Sequence, residues 1–291
     1  MKKYFTLMII LALFACKDGK KERAEAMAQT ETIGKPEVKL YTFDGGTVMV
    51  NQLKLFSQDS VYVGQRKEFA DAFYVIEHPK GILMWDAGLP EGLVGMPEPY
   101  TSPDGAFTVS RKDSVVNQLK QVGLTPADID YLSLSHTHFD HIGHAKVFKD
   151  ATWLVQEKEY DWVTSKEMKE TNADIYDGLK DLSNIKKIKG DYDVFGDGTV
   201  MFKFTPGHTP GHQVLYLELA DYGPLLLSGD LYHFSENREF RRIPIFNYDV
   251  AQTNASIDLF EAFADEKKAK VFLQHSKEDF EKLPKAPNYL K

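Results

Sequence analysis

Cysteine is almost absent from this sequence, since Cys16 is the single cysteine among 291 residues. The chain after residue 16 therefore forms no internal disulfide and offers no thiolate to a metal ion. Positive charge is also scarce, because 35 Lys and Arg residues stand against 43 Asp and Glu residues, a formal net charge of −8. This balance lacks the broad basic surface of nucleic-acid-binding proteins, so we expect no nucleic-acid partner.

No apolar run is long enough to span a bilayer, but one near the N-terminus is typical of an export signal. Lys2 and Lys3 precede twelve residues, 4–15, of which one is polar. This length suits the hydrophobic part of a signal sequence. The run ends in Leu-Phe-Ala-Cys, which resembles a bacterial lipobox in which Cys16 is lipidated. We therefore expect residues 1–16 to be a signal, and the protein to be a periplasmic, outer-membrane or secreted one. A plain signal peptide cleaved near Ala15 is the alternative.

The rest of the chain divides into a short polar segment and one folded domain. Residues 17–36 are polar, charged and Ala-rich, which predicts a flexible tether with a reach of roughly 25 Å. A lipid on Cys16 would be the only expected contact with a membrane. Residues 37–291 alternate apolar runs with helical patterns and contain no internal repeat, which indicates a layered mixed α/β domain. We predict strands at 38–43, 69–77, 82–85, 131–135, 152–155, 200–205, 214–219, 225–227 and 270–273, and helices at 113–122, 157–180 and 253–264.

The densest group of candidate metal ligands is Ser-His-Thr-His-Phe-Asp-His at 135–141, directly after an apolar run. Alternate residues of an extended chain share a face, so His136 and His138 should point the same way. A turn would then bring Asp140 and His141 to a second ion nearby. Imidazole and carboxylate are the usual zinc ligands when thiolate is absent. The alternative is a polar loop that binds no metal.

Three further predicted strands each end in a residue that zinc could bind. His208 follows 200–205, Asp230 follows 225–227, and His275 follows 270–273. Each of these residues alone could be an ordinary loop residue. Their joint occurrence suggests that one edge of a sheet supplies a single metal site.

The order His-x-His-x-Asp-His, followed by His, Asp and His, resembles that of the metallo-β-lactamase superfamily. The resemblance implies a single domain, a four-layer αββα sandwich, with two metal ions between its sheets. Zinc is the expected metal, although other divalent ions are possible. It further implies that the first ion takes His136, His138 and His208, that the second takes Asp140, His141 and His275, and that Asp230 bridges both. The β-lactamases proper often have a cysteine near the position of Asp230, so β-lactam hydrolysis is disfavoured.

From about residue 38 onward the chain is similar to the N-acyl-homoserine lactone lactonases. The shared segments are 81–91, 123–126, 136–143, 190–192, 205–212 and 235–237. The similarity implies that hydroxide generated at two zinc ions opens the ring of a small acyl lactone, which is quorum quenching. Only sixteen residues follow His275, too few for the helical glutathione-binding domain of glyoxalase II.

Other functions remain open at this stage. The alternative within the same fold is a metallohydrolase that acts on another lactone, ester, thioester or phosphoester. A lactonase with broad tolerance, whose natural substrate is not a signal molecule, is also possible on these residues. A binding protein with a vestigial site is disfavoured because no expected ligand is missing. The sequence does not specify the oligomeric state.

One position departs from the lactonases that the chain resembles. They usually have a Tyr three residues after the bridging Asp, where this chain has His233, with Tyr232 one residue before it. Either side chain could donate a hydrogen bond to the developing oxyanion. Asp140 is the expected proton shuttle. The remaining candidates would bind the acyl chain: Phe139 and, from the long loop 88–109, Met96, Tyr100 and Phe107, with Phe234, Phe240 and Phe246 as further possibilities.

Four polar residues near these motifs have structural interpretations. His212 is predicted to hydrogen-bond its own turn rather than to bind metal, and His144 and His78 are predicted to be structural. Asp86 follows a predicted strand, and could either orient a ligand imidazole or be an ordinary turn residue.

Overall fold

The computed structural model describes residues 36–291, which form one compact unit. The predicted signal, residues 1–16, and residues 17–35 of the predicted tether lie outside the described residues. Within residues 36–291, no helix has the length and apolar character needed to cross a membrane.

Fourteen strands are present in the described part of the chain. In chain order they are β1 (Lys39–Val50), β2 (Lys67–His78), β3 (Gly81–Trp85), β4 (Tyr100–Thr101), β5 (Phe107–Ser110), β6 (Tyr131–Ser133), β7 (Thr152–Gln156), β8 (Ile185–Ile188), β9 (Tyr192–Asp193), β10 (Val200–Phe204), β11 (Gln213–Leu219), β12 (Gly223–Leu227), β13 (Lys270–Phe272) and β14 (Tyr289–Leu290). They form two sheets. The larger has the order β4-β5-β1-β2-β3-β6-β7-β8, with β14 paired to β1, and the smaller has the order β13-β12-β11-β10-β9.

Seven α-helices are present in residues 36–291. They are α1 (Val115–Leu119), α2 (Glu157–Val163), α3 (Lys166–Thr171), α4 (Ala173–Leu179), α5 (Ser235–Glu239), α6 (Val250–Lys267) and α7 (Lys277–Lys282). Short 3₁₀ helices lie at Leu53–Phe56, Glu91–Leu93, Lys120–Val122, Pro126–Asp128, Ala145–Phe148 and Gly229–Leu231.

The side chains of β2 show why the two sheets stack as inner layers. Successive residues of a strand point to opposite faces. Tyr74 and Ile76 therefore lie in the core between the sheets, whereas Phe73 and Val75 lie in the core between the large sheet and its helices. Burial on both faces explains why this strand is a nearly continuous apolar run.

The outer layers complete the sandwich. Residues of α1, α2 and α4 pack on the outer face of the large sheet. On the far side, Ile257 and Phe260 of α6 pack against Tyr216 and Leu226 of the small sheet. The layers thus run helix, sheet, sheet, helix, and the predicted four-layer αββα fold is confirmed.

Local structure differs from the sequence predictions at two places. The predicted strand 38–43 continues to Val50, because a β-bulge between Asp44 and Gly46 carries the chain past two glycines without ending the ladder. The predicted single helix 157–180 is three short helices instead. Ser165 begins α3 by accepting a hydrogen bond from Met168 N. Asn172 separates α3 from α4, because its backbone angles, φ −135° and ψ 51°, are not helical.

Candidate metal centre

The strand ends deliver the predicted ligands to one edge of the sandwich. His136 and its neighbours follow β6, His208 follows β10, Asp230 follows β12 and His275 follows β13. All seven predicted ligands come together there, in two groups whose donor atoms lie within 4.8 Å of one another: His136, His138, His208 and Asp230 form the first, and Asp140, His141 and His275 the second.

Three imidazole nitrogens converge in the first group. His136 Nε2 and His138 Nδ1 are 2.9 Å apart, and His208 Nε2 lies 3.2 and 3.1 Å from them. Asp230 Oδ2 is 3.6 Å from His136 Nε2 and 3.4 Å from His208 Nε2. Converging ring nitrogens beside a carboxylate are the donor set of a tetrahedral zinc site.

Burial keeps two of these rings neutral. It lowers the pKa of His136 and His138 well below the usual value, and neighbouring histidines lower it further. A neutral imidazole has one free lone pair, which is what a metal ion requires. The protonation states of His136 and His138 therefore suit a cation.

The second group surrounds the other oxygen of Asp230. Asp230 Oδ1 is 3.3 Å from His141 Nε2 and 3.1 Å from His275 Nε2, and Asp140 lies 3.8 Å from His275. Burial acts to lower the pKa of His275, but the carboxylates of Asp230 and Asp140 outweigh it and raise the pKa to about 9. His141 Nε2 and Asp230 Oδ1 are buried and make no hydrogen bond within the described chain. A divalent cation would satisfy both atoms, so the residues fit a second ion.

Asp230 faces both groups because hydrogen bonds on the side away from the ligand groups hold its backbone in place. Its N–H donates to His212 Nε2 at 2.9 Å, and His212 Nδ1 in turn donates to Thr205 O at 3.0 Å. Burial lowers the pKa of His212 to about 3, which keeps the ring a neutral acceptor. The prediction that His212 is structural rather than a ligand is confirmed.

The distal ring nitrogens of three candidate ligands are anchored as well. His141 Nδ1 lies 3.1 Å from Asp86 Oδ2, His275 Nδ1 donates to Ala70 O at 2.9 Å, and His208 Nδ1 lies 2.9 Å from an Asn247 oxygen. Such partners fix the tautomer and leave Nε2 available to a metal. Of the two interpretations of Asp86, the orienting one is therefore confirmed.

Sequence reasoning missed Glu159, whose carboxylate joins the loop that carries His136 and His138 to the loop that carries His208. Glu159 is 2% exposed. Its Oε1 accepts hydrogen bonds from Thr137, and its Oε2 accepts from Thr209 Oγ1 at 2.7 Å and Gly211 N at 2.9 Å. A Cβ on Gly211 would lie 2.4 Å from the Glu159 backbone, so only glycine fits there. No sequence pattern pointed to Glu159, because acidic residues in the first turn of a helix usually face solvent.

An apolar cavity of about 470 Å³ opens directly onto both ligand groups. Its walls are mainly aliphatic and aromatic: Val48, Leu55, Phe56, Phe69, Phe107, Phe139, Ile175, Ile245 and Phe246, together with Asn172. Two of the four predicted acyl-binding residues, Phe107 and Phe139, thus lie where they were expected, and so does Phe246.

The other two predicted acyl-binding residues, Met96 and Tyr100, lie outside this cavity. The loop 88–109 does not fold over the site as a whole, because β4 and β5 form a hairpin at the edge of the large sheet. Tyr100 is 47% exposed on that edge, and Met96 lines a separate surface cavity. Phe107, at the start of β5, is the part of the loop that reaches the cavity.

The structure separates the two candidates for carbonyl activation. Tyr232 has an extended backbone, so it and His233 point to opposite sides. The Tyr232 hydroxyl donates to Glu261 Oε1 at 2.9 Å and its ring packs on Phe260, so Tyr232 faces away from the cavity. His233 lines the cavity instead, with Nε2 3.1 Å from Asp230 Oδ2.

The remaining aromatic candidates and histidines have structural positions. Phe234 is buried in the core cluster behind the cavity wall, together with Phe56 and Phe69, and Phe240 lies outside the cavity, with its ring 4.4 Å from the Arg242 guanidinium. His78 stacks on Phe195. His144 Nδ1 is 3.0 Å from Glu91.

Comparisons with known proteins agree with this geometry. Residues 68–275 match the family model of the Metallo-beta-lactamase superfamily. The N-acyl homoserine lactonase AttM of Azorhizobium caulinodans is 30% identical over 263 residues, which cover 87% of this chain and 98% of the relative. AttM of Agrobacterium fabrum is 31% identical over 270 residues with the same coverage of both chains.

A solved structure of similar fold is an N-acyl homoserine lactone hydrolase with the product N-hexanoyl-L-homoserine bound at its catalytic metal centre. It is 29% identical, has a TM-score of 0.75, and the match covers 86% of this chain and 98% of that one. A variant of AiiA from Bacillus thuringiensis with N-decanoyl-L-homoserine in its active site matches with a TM-score of 0.74, 29% identity and the same coverage.

Proposed function

The chain belongs to the metallo-beta-lactamase superfamily and, within it, to the N-acyl homoserine lactonase family, and from this premise we propose that it opens the lactone ring of N-acyl-homoserine lactones. Water would add to the ester of the ring and give an N-acyl-homoserine. This ring opening is called quorum quenching. The observation that carries the proposal is the apolar cavity that ends at two groups of metal-binding side chains.

The cavity suits the two parts of such a substrate. Its volume of about 470 Å³ falls within the range of roughly 300–1,000 Å³ that is usual for small-molecule sites. The aromatic and aliphatic walls would bind the acyl chain, while the lactone ring would lie over the polar floor. The relatives with N-hexanoyl- and N-decanoyl-homoserine bound support this orientation, because their ligands have the same two parts.

The donor set fits two divalent ions. His136, His138 and His208 would hold one ion, Asp140, His141 and His275 the other, and Asp230 would contact both. Zinc matches imidazole and carboxylate donors best. Bound there, two such ions would acidify a shared water and polarise the ester carbonyl.

His233 would activate the carbonyl from the protein side. Burial lowers its pKa to about 4, so the ring is neutral and carries one N–H. We assign that N–H to Nε2, which donates to Asp230 Oδ2 at 3.1 Å and would turn to the carbonyl oxygen once Asp230 binds the two ions. A donor placed in a buried site before reaction stabilises the charge that develops on the carbonyl oxygen.

Asp140 would transfer the proton to the ring oxygen. Its side chain lines the cavity and is 13% exposed, so a substrate can reach it. The carboxylate would take a proton from the attacking water and return it to the leaving alkoxide, which makes ring opening complete without a Ser or Cys nucleophile.

Product analysis tests the proposal. The full chain, reconstituted with zinc, should convert N-hexanoyl-homoserine lactone into a product one water heavier, and acidification should re-form the lactone. His136→Ala should give no product. A product that does not re-form the lactone would show cleavage elsewhere, and no product would direct attention to other esters and phosphoesters.

We also propose that the protein is exported and anchored by a lipid on Cys16. The support is the sequence alone, namely the apolar run 4–15 after Lys2 and Lys3 and the lipobox-like residues before Cys16. Fractionation of a bacterial host should place the wild-type protein with membranes and Cys16→Ser in the soluble fraction. Equal distribution of the two proteins would contradict lipidation.

A further inference from the structure

A buried arginine near the metal centre has no part in the proposed reaction. Arg111 follows β5 directly and is 3% exposed. Its hydrogen bonds within residues 36–291 all go to main-chain carbonyls: Nη1 donates to Ala87 O at 3.0 Å and to Leu89 O, and Nε donates to Asp113 O at 3.0 Å. Burial of a cation that is bonded only to neutral groups is costly, and it lowers the pKa of Arg111. The carbonyls that Arg111 binds are therefore the most direct guide to its role.

Two of these carbonyls belong to the turn 86–89, which follows β3 and contains an unfavourable backbone conformation. Asp86 has a φ of +59°, in the left-handed region that residues with a Cβ rarely adopt. Such a conformation persists only where the surrounding contacts hold it. Arg111 Nη1 binds the chain at Ala87 and Leu89, directly after this residue. The guanidinium is thus placed to hold the turn in shape.

The same turn holds His141, a candidate ligand of the second group, by its side chain and by its backbone. Asp86 Oδ2 is 3.1 Å from His141 Nδ1. Ala87 N donates to His141 O at 2.7 Å, and Gly143 N donates to Gly88 O at 2.8 Å. The turn 86–89 therefore sets both the direction of the His141 ring and the path of the chain around it.

Close packing couples this turn to the segment that carries His141. A Cβ on Gly143 would lie 2.2 Å from Gly88 O and 2.0 Å from Leu89 O, the carbonyl that Arg111 also binds. A displacement of Leu89 O would therefore move the ligand segment as well. The first group of ligands is aligned mainly from elsewhere, through the carboxylate of Glu159.

We propose that Arg111 is a positioning residue of the metal centre, which keeps His141 aligned for the second ion by holding the turn 86–89. His141 Nε2 lies 3.3 Å from Asp230 Oδ1, and these are the two buried atoms that a second ion would satisfy. A guanidinium suits this role because its rigid planar fork binds several carbonyls in fixed directions, which the ammonium group of a lysine does not. The inference rests on the proposed two-ion site, but not on the substrate, because it is measured by metal binding.

The test measures the zinc affinity of each of the two binding steps on the full chain, by competition with a chelator of known affinity. His141→Ala identifies the step that belongs to the second group, because it removes a ligand of that group. Arg111→Met keeps the length of the side chain and removes its donors. It should weaken the second step by about 10- to 100-fold, the range typical for loss of a group that orients a ligand.

The first step should change much less in Arg111→Met. A small effect is expected there, because Asp86 Oδ1 also accepts from Ser135 N at 2.7 Å, next to His136. Lys112→Met is the matched control, since it removes the neighbouring cation, which is exposed, and it should bind both ions like the wild type. Arg111→Lys keeps the charge and part of the donor set, so its loss should be smaller and on the same step. It serves in place of Arg111→Met if that variant does not fold.

A double variant tests the route of the effect. If Arg111 acts through the turn, Asp86→Asn already removes the contact with His141 that the turn provides. Combining Arg111→Met with Asp86→Asn should then weaken the second step little more than Asp86→Asn alone, because mutations that act through one contact are not additive.

Three outcomes would overturn the inference. Wild-type affinity for the second ion in the Arg111 variants would show that the guanidinium does not position the site. Equal losses on both steps would assign Arg111 to the stability of the fold as a whole. Fully additive losses in the double variant would show that it does not act through the turn. A wild-type protein that binds two zinc ions but opens no lactone would instead contradict the proposed function, so the two failures are distinguishable.

Discussion

Glu159 Oε1 accepts hydrogen bonds from both the backbone N–H and the hydroxyl of Thr137, at 2.8 and 2.7 Å. Thr137 lies between His136 and His138, so this carboxylate sets the direction of two candidate ligands. Its second oxygen binds the turn that follows His208. One buried side chain thus aligns three imidazoles that come from two separate strands.

Replacing Glu159 by Gln should selectively weaken metal binding by the first group of ligands. The amide has one acceptor oxygen, so two of the four donors from the ligand loops lose their partner. Loss of such an orienting group typically costs about 10- to 100-fold in metal affinity. Chelator competition and metal analysis should show one ion bound more weakly and the other unchanged.

Glu157→Gln is the matched control, because Glu157 is on the same helix and pairs with Lys189 at the surface. It should bind both ions like the wild type. Wild-type affinity for both ions in Glu159→Gln would show that the carboxylate has no positioning role.

His233→Phe should lower kcat by about 100-fold with little change in KM, since removal of one preorganised oxyanion donor has an effect of this order. His233→Tyr should recover part of the loss, because a phenol can donate from the same direction. Steady-state kinetics on one acyl lactone measures both effects.

Tyr232→Phe serves as the control for this pair, since the Tyr232 hydroxyl is bonded to Glu261 and faces away from the cavity. It should keep wild-type kcat. A loss in Tyr232→Phe as large as that in His233→Phe would contradict the assignment of His233.

Phe107→Ala should reduce kcat/KM on long-chain lactones by about tenfold or more, and on short-chain lactones much less. The Phe107 ring forms part of the cavity wall, and we expect a long acyl chain to contact more of it than a short one. Tyr100→Ala, in the same hairpin but exposed at the sheet edge, should change neither rate. Equal losses across chain lengths in Phe107→Ala would exclude it from the acyl site.

Metal removal should lower the melting temperature by roughly 10 °C at thousandfold saturation, because ions that bind only the folded state stabilise it by mass action. Scanning calorimetry with and without chelator measures the shift. His136→Ala should show a smaller shift, since it lacks one ligand of the first group. A chelator-insensitive wild-type transition would argue against tightly bound ions.

The candidate ligands could be predicted because each stands at the end of an apolar run, where chain direction and strand order bring side chains to one edge. Glu159 could not, because its partners lie 22 and more residues away and its own neighbourhood resembles a surface helix. The positions of Met96 and Tyr100 outside the cavity could not be predicted for a related reason. Apolar residues in a long loop do not reveal whether the loop covers the site or pairs as a hairpin.

The residues 157–180 illustrate a second limit. Their apolar spacing fits one helix, but Ser165 and Asn172 end and restart it through local hydrogen bonds. The alternation of Tyr232 and His233 was visible in the sequence, yet which of them faces the cavity depends on where α6 packs.

The most direct test of the central claim is proton release from a short- and a long-chain N-acyl-homoserine lactone, measured on full-length protein shown to contain two zinc ions, with His136→Ala as control. We predict a kcat/KM above about 10⁴ M⁻¹s⁻¹ that is lost in the variant. No proton release from the two-zinc protein on either lactone would contradict the assignment as an acyl-homoserine lactonase.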